Sequence, residues 1–181
     1  LQNYETICGG TGAGDGFDGA SAVQTHMTNT RMTDPEILEW RFPVRLEAFG
    51  IRRGSGGAGR WRGGDGAVRR MRFLEAMTVT TLGSHRKVPP FGLAGGLPGA
   101  CGVDIVERAD GTVELLQGND RREMQPGDLY HMETPAGGGA SNVTSTTCIE
   151  RPRNRAISST ATISPSRRIA TGTSGYQIVT K

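Results

Sequence analysis

Glycine is the residue that this chain must find a use for, at 28 of its 181 positions. The first run of it reads Cys8-Gly9-Gly10-Thr11-Gly12-Ala13-Gly14-Asp15-Gly16-Phe17-Asp18-Gly19. Glycine loses more backbone freedom on folding than any other residue. A folded chain concentrates it where φ must be positive or where the backbone approaches something closely. The run leads on into Thr25-His26-Met27-Thr28-Asn29-Thr30-Arg31, so a histidine, an amide, a cation and several hydroxyls follow it. A backbone-shaped segment beside such a cluster points to a site.

A length of 181 residues suits one domain of ordinary size with one core. No apolar run approaches the roughly 18 residues that a spanning helix needs. No charged n-region with an apolar h-region precedes the glycine run. The expectation is a soluble, cytoplasmic protein without a membrane partner, whose true start lies upstream of Leu1. Cys8, Cys101 and Cys148 are odd in number and widely spaced. They read as reduced thiols, with no Cys-x-x-Cys pair to hold a structural zinc.

The formal charge of +3 is unevenly distributed. Residues 1–139 carry 15 Lys+Arg against 17 Asp+Glu, a net of −2, and residues 140–181 carry 6 against 1, a net of +5. The basic character belongs to the tail and does not mark the folded part as a nucleic-acid binder. The tail also holds 15 Ser or Thr in 42 residues, with one aromatic and one acid. Such a composition predicts disorder, and two units follow: a folded part over 1–139 and a disordered tail over 140–181.

Within the folded part, Tyr4 to Cys8 predicts a short strand and Ala20 to Met27 a helical stretch. Thr33 or Asp34 can cap a helix whose first turn suits Pro35 and whose dipole Glu36 complements. Pro43 stops that helix, and a second short one is expected from Val44 to Phe49, with Gly50 after it. Beyond Ile51 the pattern turns to β: Ala67 to Leu74, Met77 to Leu82, Val103 to Arg108, Thr112 to Leu116 and Leu129 to Glu133. Ala109-Asp110-Gly111 predicts a hairpin, and Gln125-Pro126-Gly127-Asp128 a type II turn. The fold class is α+β: a mainly antiparallel β module with a Gly-rich loop and one or two short helices near the N-terminus.

Gly14-Asp15-Gly16-Phe17-Asp18-Gly19 matches G-x-G-x-x-G in letters only. Asp15 and Asp18 would repel a pyrophosphate, no βαβ rhythm follows, and no Gly-Lys-Ser/Thr exists for a Walker loop. His26 can serve as general base or metal ligand, Arg31 can clamp a carboxylate, and Asn29 can steady an oxyanion. The alternative is a structural His26, with Arg31 paired to Asp34 or Glu36. His85 and His131 sit in strand-like contexts that favour structural roles. The tract from Arg52 to Gly64 resembles an RNA-binding Arg-Gly segment with Trp61 for stacking. It is short and feeds into an apolar run, so a structured β connection is the reading and nucleic acid is not an expected partner.

Several of these motifs are those of a known family. Gly9-Gly10-Thr11-Gly12-Ala13-Gly14, Thr25-His26-Met27-Thr28-Asn29-Thr30-Arg31 and Asp34-Pro35-Glu36 resemble the hydantoinase B/oxoprolinase family. So do Arg53-Gly54-Ser55-Gly56-Gly57, Gly63-Gly64-Asp65-Gly66, Pro90-Phe91-Gly92-Leu93-Ala94-Gly95-Gly96 and Pro126-Gly127-Asp128. The resemblance runs in order from about Tyr4 to Gly139 and looks like the C-terminal part of a longer subunit.

It implies ATP-dependent opening of a cyclic amide, 5-oxoproline or a hydantoin, with ATP bound by a partner hydantoinase A-like subunit or domain. It also implies that the metal-binding residues lie mostly in an N-terminal part absent here, which leaves a divalent metal open. The residues carried over are His26, Asn29, Arg31 and Asp34 as catalytic, and Gly10, Thr11, Gly12 and Thr28 as substrate-binding. Two departures stand out. Relatives often carry a second histidine where this chain has Gln24, which argues against a two-histidine metal site. They usually end in Gly-Tyr-Gly, whereas here Gly139 runs into Ala140-Ser141-Asn142, as a frameshifted or foreign tail would. Such a fragment is expected to be inactive alone. The alternatives are a fragment of an ATP-dependent ketone carboxylase and a non-catalytic binding or assembly module.

Overall fold

Period-two alternation through the middle of the chain builds two antiparallel sheets. The computed structural model describes residues 2–24, 31–141 and 173–180, the last as backbone. Its elements are β1 (Gln2–Cys8), α1 (Pro35–Arg41), β2 (Val44–Arg52), β3 (Gly66–Phe73), β4 (Met77–Gly83), β5 (Val103–Glu107), β6 (Val113–Leu115), β7 (Asn119–Met124), β8 (Leu129–Glu133) and β9 (Thr173–Thr180). One sheet has the order β1-β9-β4-β7 and the other β2-β3-β8-β5-β6. A single hydrophobic cluster draws on both: Ile7, Met77, Val79 and Met124 from the first, Met71, Phe73, Val106, Tyr130 and Met132 from the second. Burying each such large side chain contributes about 1.5–3 kcal/mol. Leu38 and Phe42, in and just after α1, join the same cluster.

The mainly antiparallel β reading holds, and the details around the helices differ. Asp34 caps α1 by accepting the Glu36 N–H at 2.9 Å, with Pro35 in the first turn. The expected second helix over Val44 to Phe49 is instead strand β2, antiparallel to β3 from Val44↔Phe73 to Arg52↔Gly66. Its β-branched and aromatic residues found a ladder partner in β3, which overrides a weak local helix preference. Gly50 therefore lies inside a strand, not after a helix. Residues 20–24 are not helical, and Ala22 sits at φ 50°; Thr25–Met27 lie outside the described residues. The strand runs on either side of Glu75-Ala76 end up in different sheets.

Both predicted turns form. Gly111 has φ 90° in the β5–β6 hairpin, and Gly127 has φ 93° with the Asp128 N–H donating to the Gln125 carbonyl at 3.0 Å. The Asp128 side chain then gathers the surroundings: it accepts from Gln125 N–H at 2.9 Å, Arg108 Nη1 at 2.8 Å and Ala109 N–H at 3.0 Å. Burial alone would push this carboxyl up; the three donors together hold it below the usual carboxylate range.

The disordered-tail expectation fails over its last stretch. Thr173–Thr180 form β9, which pairs with β1 on one side and β4 on the other. A composition averaged over the tail hides this run, whose Thr173, Tyr176, Ile178 and Val179 favour strands. Residues 142–172 lie outside the described residues. Ala140, assigned by composition to the tail, is fully buried and exchanges two backbone hydrogen bonds with Trp61, at 2.9 and 2.8 Å.

The glycine runs converge at one place. Gly137 lies between three other segments: its N–H donates to Gly64 O at 2.8 Å, and its carbonyl accepts from Gly57 N–H at 2.9 Å. A Cβ on Gly137 would sit 1.7 Å from the Thr11 carbonyl oxygen. Next along, the Gly138 carbonyl accepts from Ala13 N–H at 2.9 Å, and the Gly139 carbonyl from Leu93 N–H at 2.8 Å. The first run is thus one layer of backbone packed against other backbones. The Arg-Gly tract is another layer, an ordered connection in which Arg60 stacks over Trp61 at 4.8 Å.

Three outcomes are expected from unfolding measurements. Gly137→Ala lowers stability by at least about 3 kcal/mol, because the obstacle is backbone that cannot rotate away. Gly50→Ala, where nothing lies within 4 Å, shifts it by less than about 1 kcal/mol. Asp128→Asn costs about 1–3 kcal/mol at neutral pH. Because the folded value is depressed, that increment is full above the unfolded value near 4. It is lost as pH falls through the lower folded value. A urea series from pH 7 to pH 2.5 reads the convergence of the two proteins.

Candidate active site

Two neighbouring residues of β1 hold both ends of the segment that contains His26. On the N-terminal side, Val23 N–H donates to Gly9 O at 3.2 Å and Gln24 Nε2 donates to the Thr6 carbonyl at 2.7 Å. On the C-terminal side, Thr33 N–H donates to Glu5 Oε1 at 2.7 Å. Gln24 and Thr33 are thus tied to neighbouring positions of one strand.

Glu5 is held in turn by Arg69, whose Nη2 lies 3.0 Å from Glu5 Oε2, with both side chains under 5% exposed. Arg69 also approaches Met32 Sδ at 3.6 Å and stacks over Phe49 at 5.8 Å. A buried pair of this kind attracts strongly in its low-dielectric surroundings, and losing one partner is costly. It fixes β1, β3 and the return of the His26 segment relative to one another.

His26, Thr28 and Asn29 lie outside the described residues. Arg31 is exposed at the segment's return, and Asp34 follows as the α1 cap. Gly10 and Thr11 stand at the far end of β1, where their N–H groups donate to Pro135 O and Ala20 O, both at 3.0 Å. Thr11 Oγ1 accepts from Ala20 N–H at 2.7 Å, and Gly12 is buried beside them. These residues shape a wall through their backbone. His131 bridges to Glu133 at 3.3 Å, and His85 sits at φ 52° with Nδ1 3.0 Å from Val88 O.

Glu5, Gln24, Thr33 and Arg69 are positioning residues that the motif reading missed. Arg69 carried a signal: it falls in phase with Ala67, Met71 and Phe73 on the buried face of β3. An arginine in register with a core face needs a buried partner. Cys8, at the end of β1, is no candidate nucleophile: burial pushes its thiol up, so it stays protonated at neutral pH. Among the described residues no three His, Cys, Asp or Glu side chains converge as metal ligands, so none of them is given a metal role. No helix among them is long and apolar enough to cross a membrane.

The sequence matches the model of a protein family, hydantoinase B/oxoprolinase, over residues 1–142. The chain belongs to the hydantoinase B/oxoprolinase family. A 5-oxoprolinase of Dictyostelium discoideum is 45% identical over 139 residues, which are 77% of this chain and 11% of that protein. Among solved structures, an ATP-dependent caprolactamase from Pseudomonas jessenii shares 25% identity at a TM-score of 0.57, covering 75% of this chain and 24% of its own. An acetone carboxylase structure has a TM-score of 0.62 at 18% identity, covering 78% of this chain and 25% of its own, and is alike in fold. This hydantoinase B/oxoprolinase chain thus spans about a tenth of the 5-oxoprolinase it matches.

Substitution at the anchors is expected to separate their weights. Glu5→Ala, which leaves Arg69 buried without its carboxylate, costs about 3–5 kcal/mol. Gln24→Ala removes one bond to a carbonyl and costs about 1 kcal/mol. Denaturant melts of the two single variants read the difference.

Proposed function

We propose that this chain is the C-terminal portion of a hydantoinase B/5-oxoprolinase-like subunit and forms one wall of a site for ATP-dependent hydrolytic opening of a cyclic amide. The observation that carries the reading is 45% identity to a 5-oxoprolinase over 139 residues, 77% of this chain. A lactam-opening, ATP-dependent structural neighbour is consistent with it. The substrate class is a five-membered cyclic amide, 5-oxoproline or a hydantoin.

ATP, held by a hydantoinase A-like partner subunit or domain, supplies phosphorylation of the ring amide oxygen. The residues of this chain then act on water and on the opened charge. His26 takes a proton of the water that adds to the activated ring carbon and passes it to the ring nitrogen. The proton of the new hydroxyl follows to the nitrogen as the carbon–nitrogen bond breaks, and a second water converts the acyl phosphate so formed to carboxylate and inorganic phosphate. Asn29 donates a hydrogen bond to the oxygen on which negative charge grows. Arg31 binds a substrate carboxylate with its planar fork. Asp34 orients Arg31 through the start of α1, since one of its oxygens already accepts the Glu36 N–H. Gly10, Thr11, Gly12 and Thr28 shape the wall against which the ring lies. The rest of the site comes from parts of the assembly beyond this chain.

The test is a chimera in which residues 1–141 replace the matched segment of the Dictyostelium 5-oxoprolinase. It is expected to open 5-oxoproline with ATP, and His26→Ala within it lowers kcat by about 10²–10⁴-fold. The isolated 181-residue chain is expected to show no turnover. An inactive but folded chimera, or turnover that requires bicarbonate, would overturn the reading; the latter would favour a ketone carboxylase.

A further inference from the structure

We infer that the slot between β1 and β4 is a strand-acceptor site, plugged in this chain by its own β9 and shaped to take an extended segment of a longer family subunit. β1 and β4 do not pair with each other. Each is hydrogen-bonded to β9, with Gln2–Cys8 set against Val179–Thr173 and Met77–Gly83 against Thr180–Ser174. The occupant runs antiparallel to both walls, so its main chain donates and accepts along both edges. Strand addition of this kind takes its affinity from main-chain hydrogen bonds.

The walls are those of an edge meant to be covered. Exposed edge strands are usually blunted by charges, lysine or proline. β7, the outer strand next to β4, carries Asp120, Arg121, Arg122 and Glu123. β4 reads Met-Thr-Val-Thr-Thr-Leu-Gly with no charge and no proline, and its Met77, Thr78, Val79 and Thr81 are buried. The one charge on β1 is Glu5, which is turned to Arg69. Without an occupant, β1 would have no strand paired with it among the described residues, and β4 would present a bare edge.

The occupant also lies outside the family match. The family match ends at residue 142, well before Thr173, so the relatives keep both walls while the matched region leaves out the plug. A relative such as the 5-oxoprolinase of Dictyostelium discoideum is several times longer than this chain. Here the connection over 142–172 is 31 residues long. It holds β9 near the slot at an effective concentration on the order of millimolar, which an incoming strand must outcompete. The incoming segment needs seven or eight extended residues, with no proline at the inner positions, where donors are needed on both edges.

The test uses the full chain and a fluorescent peptide of residues 172–181. Ile178→Pro removes a donor opposite Asn3 and Val79, in the middle of the slot. The variant is expected to bind the peptide at least tenfold more tightly than the wild type. Amide exchange across Met77–Gly83 is expected to quicken in the variant and to slow again with peptide. The peptide carrying the same proline binds neither protein. If the variant does not fold, the wild type with millimolar peptide answers: amides of 173–180 in the chain exchange faster while those of β4 stay protected. A variant that folds but gains no affinity, β4 exchange indifferent to the substitution, or a wild-type protein that swaps β9 into a concentration-dependent dimer would each overturn the inference.

Discussion

The fold depends on backbones that touch where side chains would ordinarily stand. Four segments meet around Gly137, and the distance from its absent Cβ to the Thr11 carbonyl, 1.7 Å, is far inside any van der Waals contact. The bonds that join these segments run from main chain to main chain. Packing of this kind has little tolerance: a flexible side chain can rotate aside, whereas a carbonyl held at both ends cannot. It also explains why a chain this rich in glycine folds at all. The entropy lost by ordering glycine is offset where backbone donors are satisfied and nothing bulky intervenes.

Thr134 carries this arrangement into the sheets. It is fully buried, its hydroxyl donates to the Cys8 carbonyl at 2.8 Å, and it accepts the Ala67 N–H at 2.7 Å. One side chain thereby ties the end of β1, the start of β3 and the entry to the Gly137 segment. From there β1 runs back through Thr6 and Glu5, the two anchors of the His26 segment. The glycine packing and the candidate site are linked through seven residues of one strand, and the Glu5–Arg69 pair holds that strand to the second sheet.

What could be read from the sequence followed the strength of the local signal. The strands from Ala67 onward other than β7 and β9, both tight turns and the start of α1 were legible because alternation, Gly after Pro, and Pro-Glu after a capping residue each have one cheap structural answer. β2 was not, since Val44 to Phe49 suits a helix or a strand and its ladder to β3 decided the matter. β7 escaped because an edge strand with charged residues lacks the alternation that marks a half-buried one. At the candidate site the motif was visible but its scaffolding was not. Gln24 stood out as a missing histidine, whereas its role here is to tie the segment to Thr6. Glu5 and Arg69 are far apart in sequence, and only the pairing of sheets brings them together.

β9 shows why composition averages mislead at chain ends. A tail dominated by Ser, Thr and Arg cannot form a core of its own, yet eight of its residues need none when two finished edges await them. The placement has a consequence for the site. In the ladder, Glu5 stands opposite Tyr176 and Thr6 opposite Gly175, so the plugging strand lies against the two residues that anchor the His26 segment. A strand that enters or leaves this slot changes the support of β1 at those positions. The strand that fills the slot therefore lies beside the two positions of β1 to which Gln24 and Thr33 are tied.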